Sequence, residues 1–186
     1  MKISVVIPVY NSERFLPECL DSVVSQSYGD ISIILIDDGS DDASGKICDG
    51  FASSDPRITV IHTENLGASA ARNTGIAASD GDYVCFIDSD DYVAPDYIEY
   101  LLKLSKDHQA DISVCQRTNG RKTVKETRIL NGNQNCMSAF VRSAEIDSVV
   151  WGKLYKRTLF EGIFFPEGKR YEDEFTIYKQ IGRAHV

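Results

Sequence analysis

The chain is predicted to fold as an α/β domain, with a mostly parallel central sheet covered by helices on both faces. Three observations carry that expectation. Short, near-continuous apolar runs alternate with longer runs of helical period along the first 117 residues. Clusters of Asp, Asn, Ser and Gly follow the apolar runs, where the strands of such a sheet end. The hydrophobic fraction of 42% and charged fraction of 26% are ordinary for a globular chain, and 186 residues suffice for one sizeable core.

The elements follow in order. Ile3 to Val9 is apolar almost throughout, as a strand buried on both faces must be. From Ser12 to Val24, Phe15, Leu16, Cys19, Leu20, Val23 and Val24 fall on one helical stripe. Pro17 is compatible with that helix only in its first turn, where amides lack partners anyway. Ile31 to Ile36 is a second strand, and Ala43 to Phe51 a helix with Ile47, Cys48 and Phe51 inward. Ile58 to Ile61 is a third strand, and Ala68 to Ala78 a helix of small residues able to approach the sheet closely. Tyr83 to Ile87 is a fourth strand, followed by a helix from Pro95 to His108 with Ile98, Leu101 and Leu102 inward. Ile112 to Cys115 is a fifth strand.

Beyond Arg117 the pattern loosens. Thr118 to Arg121 is a hairpin turn, Lys122 to Ile129 an exposed strand, Met137 to Val141 a short helix and Val149 to Tyr155 a further strand. A helix begins at Glu174 and is not completed, so the chain reads as incomplete. The last residues, 181–186, fit poorly with the amphipathic run before them and can be encoded by a sequencing-adapter stretch; a non-native tail is expected there.

Composition removes several function classes. The formal charge of −8 argues against nucleic acid as a partner, because phosphate binding needs a basic face. The five cysteines, Cys19, Cys48, Cys85, Cys115 and Cys136, are widely spaced and form no Cys-x-x-Cys pair, as expected of buried thiols in a reducing compartment. The first apolar run is short and broken by Pro8, unlike a signal peptide. No apolar run approaches the ~20 residues that cross a bilayer. A cytoplasmic protein is expected, with a place at the inner face of the membrane compatible with it. The turn after the first strand has no Gly-x-Gly-x-x-Gly, against a dinucleotide-dependent oxidoreductase, and no glycine-rich basic loop, against a nucleotidyltransferase.

Chemistry is expected at the strand ends. Asp88-Ser89-Asp90-Asp91 follows the fourth strand. In an extended segment Asp88 and Asp90 point the same way, and crowded carboxylates repel unless a cation separates them. An oxygen-only set suits Mg²⁺ or Mn²⁺ over zinc; the alternative is that Asp90 or Asp91 caps the following helix. Asp37-Asp38-Gly39-Ser40 is open between a turn with a helix cap from Asp41 or Asp42 and a carboxylate that accepts from a base N–H. Arg72 can pair with a diphosphate or with the aspartates. Asn65 suits a turn as well as a ligand, and His62 reads as structural. Tyr171-Glu172-Asp173-Glu174 is either an acidic first helical turn or a general base with its neighbours.

Taken in order, these groups resemble family 2 glycosyltransferases of the GT-A (Rossmann-like) fold. The resemblance runs from about residue 3 to about residue 180. It rests on Val5-Val6-Ile7-Pro8-Val9-Tyr10-Asn11, Asp37-Asp38-Gly39-Ser40, the run from Asn65 to Gly75, Asp88-Ser89-Asp90-Asp91, Trp151-Gly152-Lys153-Leu154-Tyr155 and Tyr171-Glu172-Asp173-Glu174. It implies that Pro8, Val9, Tyr10 and Asp38 line the base and ribose pocket, with Asn65 and Arg72 nearby. Asp88 and Asp90 would hold Mn²⁺ or Mg²⁺ and, with Ser89, the donor diphosphate, Asp91 contributing. Glu172 would contact the sugar and Asp173 act as catalytic base. Trp151 and Lys153 match a motif of bacterial surface-polysaccharide members.

The implied reaction is metal-dependent, inverting transfer from a nucleotide-sugar, a UDP-sugar above all, to a saccharide or lipid-linked saccharide in surface-polysaccharide or cell-wall glycan synthesis. Residues 1–117 would then be the donor part, and 118–180 the acceptor-side and catalytic-base part of the same domain, cut short. The alternative is a nucleotide-sugar-binding fragment without activity.

Overall fold

A computed structural model of the chain describes residues 1–115, 149–169, 176, 177, 179 and 184. The strands are β1 (Ile3–Val9), β2 (Ile31–Asp38), β3 (Ile58–Thr63), β4 (Tyr83–Phe86), β5 (Ile112–Val114) and β6 (Lys153–Lys156). The helices are α1 (Leu16–Val24), α2 (Ser44–Ser54), α3 (Ala68–Ala78) and α4 (Tyr97–Asp107). The six strands form one sheet in the order β3-β2-β1-β4-β6-β5. β1 pairs in parallel with β2 and β4, and β2 with β3, while β6 runs antiparallel between β4 and β5. The mostly parallel α/β sheet expected from the sequence is what forms.

Strand alternation divides the core into two layers. Val5, Ile7, Ile33, Leu35 and Cys85 face one way, toward Leu16, Leu20, Ile98 and Leu101 of the helices. Val6, Ile34, Ile36, Val84 and Phe86 face the other, toward Ala71 and a cluster of aromatic rings. Because both faces are covered, the strands must be apolar throughout, which is why they were legible as continuous runs. Phe86 sits at the centre of the second layer, with Tyr155, Phe160 and Phe165 edge-on at centroid distances of 6.2, 5.7 and 5.8 Å.

Two elements depart from the sequence reading. α1 begins at Leu16 rather than Ser12: residues 13–15 form a turn in which the Phe15 and Leu16 amides both go to Ser12 O at 2.9 Å, and Pro17 has no N–H with which to carry the helical ladder on to Glu13 O. Pro17 consequently falls in the first turn, as required. Phe15 leaves the inward stripe: it is exposed, with the Arg14 guanidinium 5.1 Å from its ring centre. The strand expected from Val149 is shortened to Lys153–Lys156, since Gly152 adopts φ +72°, which ends extended backbone. The expected elements between Thr118 and Val141 lie outside the described residues, as does Cys136.

α3 packs on β1 through small residues. A Cβ built on Gly75 would stand 2.2 Å from Val6 Cγ1. Gly75→Ala is therefore expected to destabilise the fold by about 1–3 kcal/mol through overpacking. Urea unfolding measures it, and a midpoint equal to that of the native chain would contradict this packing.

Candidate active site

β1, β2 and β3 step one way across the sheet and β4 lies on the other side of β1, so the strand order reverses between β1 and β4. In open α/β sheets the crevice for ligands lies at such a point, beyond the carboxyl ends of the strands. Pro8 marks its edge. The β1–β4 pairing ends at Val6↔Phe86, and Val6 O accepts Ile87 N at 3.2 Å. Residues of the same parity point to the same side, so Pro8 faces β4 where β4 has stopped, and its missing N–H leaves no gap in the ladder. On the other side of β1 the pairing continues through Pro8↔Ile36 and Val9↔Asp37.

The loops after β1 and β2 are zipped together. Asn11 N donates to Ser40 Oγ at 3.1 Å, Asp41 N to Asn11 Oδ1 at 2.9 Å, Glu13 N to Asp42 Oδ2 at 3.1 Å and Ala43 N to Glu13 Oε2 at 2.9 Å. Asn11 takes φ +47°, a left-handed conformation in which asparagine is enriched. Asp42 Oδ1 also accepts Ser44 N at 2.8 Å, so Asp42 serves the start of α2. Tyr10 stands exposed at the crevice mouth, and Val9 is buried beneath it.

The acidic segment is a turn rather than an extended strand: Asp91 N donates to Asp88 O at 3.0 Å. The expected same-side geometry of Asp88 and Asp90 is thus reached by another route, and Asp91 joins them. One carboxylate oxygen from each of Asp88, Asp90 and Asp91 lies within 4.8 Å of the others. The turn stays outside the start of α4. Tyr97 N goes to Ala94 O at 3.0 Å and Ile98 N to Gln26 Oε1 at 3.0 Å, so the capping alternative fails for these first amides.

The donor set fits a hard divalent cation: oxygens only, convergent, and anionic. Cys19 lies beneath the turn with Sγ 3.6 Å from Asp88 O. Burial, then the charges of Asp91, Asp88 and Asp90, push its thiol up to about 12, so in the metal-free chain it is a neutral thiol that donates to that carbonyl.

Other expected site residues divide between cleft and scaffold. Asp38 is buried, and its carboxylate accepts Leu66 N at 2.9 Å, Gly67 N at 2.8 Å and Thr63 Oγ1 at 3.3 Å. It fixes the loop that carries exposed Asn65 toward α3. Gly39, at φ +69°, lets that loop approach, since a Cβ there would meet Asn65 N at 2.7 Å. Arg72 projects from α3, buried, with Nη2 3.5 Å from Asp88 Oδ1 and its guanidinium 5.6 Å from the Phe165 ring centre. Ser89 is buried with its hydroxyl against Ser12. Glu172 and Asp173 lie outside the described residues. The chain leading toward them is tied to α3: Asn73 exchanges bonds of 2.9 and 2.8 Å with Phe165 O and N, and Ser69 Oγ donates to Pro166 O at 2.8 Å.

His62 is structural, as expected. Its Nδ1 lies 2.8 Å from Asp37 Oδ2 and its Nε2 3.1 Å from Asp49 Oδ1. The hydrogen bonds to Asp37, first, and Asp49 hold its pKa above the usual 6.5. A raised histidine pKa stabilises the fold fully below the unfolded value, and that contribution is lost as pH rises through the folded value. The side chain is half exposed, so solvent screening leaves a few tenths of a kcal/mol. The stability difference between the native chain and His62→Gln is expected to shrink from about pH 6 to about pH 8.5. Denaturant titrations at the two pH values test it; a difference that grows with pH contradicts the pairing.

Sequence reading missed Gln26, Ser12 and Ser44. Gln26 is buried and braces the start of α4, its Nε2 also donating to Ala94 O at 2.7 Å. Such side chains carry no spacing motif; a serine just before a helical run was the only trace of Ser12.

Residues 4–170 match the family described as Glycosyl transferase family 2. Glycosyltransferase GlyA of Streptococcus pneumoniae serotype 4 is 42% identical over 188 residues, which covers 94% of this chain and 27% of that protein. The uncharacterized glycosyltransferase EpsJ of Bacillus subtilis is 37% identical over 185 residues, covering 92% of this chain and 53% of that one. The chain thus spans between a quarter and about half of these relatives. The crystal structure of S. aureus TarS 1-349 in complex with UDP-GlcNAc superposes with a TM-score of 0.80 at 26% identity, over 99% of this chain and 54% of that one. With the sheet order, the switch-point crevice and the acidic turn in place, the chain belongs to glycosyl transferase family 2 and has its GT-A fold.

Proposed function

We propose that the protein transfers a sugar, with inversion, from a UDP-sugar to a hydroxyl of a saccharide or lipid-linked saccharide, in surface-polysaccharide or cell-wall glycan synthesis. The observation that carries this reading is the convergence of Asp88, Asp90 and Asp91 within 4.8 Å at the crevice between β1 and β4. The likeness to TarS, crystallised with UDP-GlcNAc, supports a UDP-linked donor.

In this reading Pro8, Val9 and Tyr10 line the base and ribose, while Asp38 holds the backbone of the Asn65 loop beside them. Asp88 and Asp90, with Asp91, would hold Mn²⁺ or Mg²⁺, which supplies positive charge against the diphosphate as it leaves. Ser89 keeps its backbone in the turn, and Arg72 adds a fixed cation beside Asp88. Glu172 contacts the sugar. Asp173 takes the proton of the acceptor hydroxyl as its oxygen bonds to the anomeric carbon and the bond to the diphosphate breaks on the opposite face. The free thiols of Cys19, Cys48, Cys85 and Cys115 support a cytoplasmic setting, with work at the inner membrane face part of the same proposal. Among the described residues no helix is long and apolar enough to cross a membrane.

Donor hydrolysis tests the proposal. Release of UDP from a panel of UDP-sugars is expected with Mn²⁺ and not with excess chelator. Full turnover in chelator contradicts the metal, and tight donor binding with no turnover identifies a non-catalytic nucleotide-sugar-binding fragment instead.

A further inference from the structure

Under the crevice three serine side chains are buried together: Ser12, Ser44 and Ser89, at 9%, 0% and 8% exposure. Ser12 donates its hydroxyl proton to Tyr10 O at 3.0 Å. A serine has one such proton. Across the 2.6 Å contact between Ser12 Oγ and Ser89 Oγ, therefore, Ser89 donates and Ser12 accepts. The Ser12 amide in turn donates to Ser44 Oγ at 2.8 Å, and Ser12 O accepts the two amides that open the turn before α1. One residue thus joins the end of β1, the approach to α1, the start of α2 and the acidic turn.

Other contacts hold the acidic turn from within and from the helices. Its own Asp91-to-Asp88 bond closes it, Cys19 meets it from below and Arg72 from α3. The bond from Ser89 to Ser12 ties the turn to the β1 loop that carries Tyr10.

We infer that Ser12 is a positioning residue for the acidic turn. Through Ser89 it sets where the carboxylates of Asp88 and Asp90 stand, and so tunes the divalent-cation affinity of the site. The inference rests on the cation reading of that turn proposed above. It concerns no contact of Ser12 with substrate. Groups bonded directly to metal ligands typically govern affinity by about 10–100-fold, and Ser12, acting through Ser89, belongs at the lower end of that range.

Two readouts on the full chain test it. Amide hydrogen exchange without metal reports the turn itself: Ser12→Ala is expected to speed exchange at Asp91, and Ser12→Thr, which keeps the hydroxyl, to restore protection. Mn²⁺ titration followed by the EPR signal of the free ion reports the consequence: Ser12→Ala is expected to weaken binding about 10-fold, with most of the loss recovered in Ser12→Thr. Unchanged exchange at Asp91 overturns the inference, as does faster exchange with unchanged Mn²⁺ affinity. If the native chain binds no Mn²⁺ while Ser12→Ala still loosens the turn, positioning stands and the metal reading falls, so the two failures are separable. Should Ser12→Ala not fold, Ser44→Ala removes the acceptor of the Ser12 amide and must shift both readouts in the same direction; no shift in a folded Ser44→Ala overturns the inference.

Discussion

Asp173→Asn is expected to lower kcat by about 10²–10⁴-fold, with donor binding nearly unchanged. Asparagine keeps the size of the side chain and removes its basicity, so in the proposed mechanism the acceptor hydroxyl loses the group that takes its proton in the transition state. An interaction made only in the transition state lowers kcat and kcat/KM together, whereas a lost ground-state contact raises KM. The segment that carries Asp173 follows Phe165 and Pro166, which α3 holds through Asn73 and Ser69. Steady-state kinetics with varied donor check the split. An unchanged kcat removes Asp173 from the proton transfer, and a raised donor KM with unchanged kcat assigns it to binding.

Asp90→Asn is expected to reduce kcat/KM by about 10²–10³-fold, the several kcal/mol that a cation supplies against developing charge on a leaving group. The carboxylate is exposed and belongs to a turn held by backbone and neighbouring side chains, so the fold should survive the exchange. Removing one of three crowded negative charges even relieves repulsion in the metal-free chain. A melting temperature equal to or above that of the native chain, with Mn²⁺ affinity and activity both lost, is therefore the expected signature. Retained Mn²⁺ affinity would contradict the assignment of Asp90 as ligand. A variant that fails to fold would show instead that the turn is structural.

The sheet was legible because its strands are buried on both faces. Ile3–Val9 and Ile31–Asp38 had to be apolar at nearly every position, and the polar groups had to wait for the strand ends. That same rule places Asp38, Asn65 and Asp88 on one edge from the sequence alone. What did not show in the sequence was set by contacts between distant residues. The strand β6 inserts antiparallel between β4 and β5, a pairing with no local trace, and its start is fixed by Gly152 at positive φ. Phe15 satisfied the helical period yet lies exposed in the turn before α1, where Pro17 has no N–H to continue the ladder that the Leu16 amide opens at Ser12 O. Asp88 and Asp90 were expected to align along an extended segment; they converge through a tight turn, which brings in Asp91 as well. Asp38 was expected at the nucleotide and is also a bracket for the Asn65 loop, a role visible only once Leu66 N and Gly67 N are seen to point at it.

In the proposed reading the acidic turn beyond β4 binds a nucleoside diphosphate through a divalent cation. Calorimetric titration of UDP into the chain, with Mn²⁺ and again with excess chelator, separates that reading from metal-free binding. Binding that needs Mn²⁺ in the native chain and is lost in Asp90→Asn is the expected result. UDP binding of equal strength with and without the metal would contradict it.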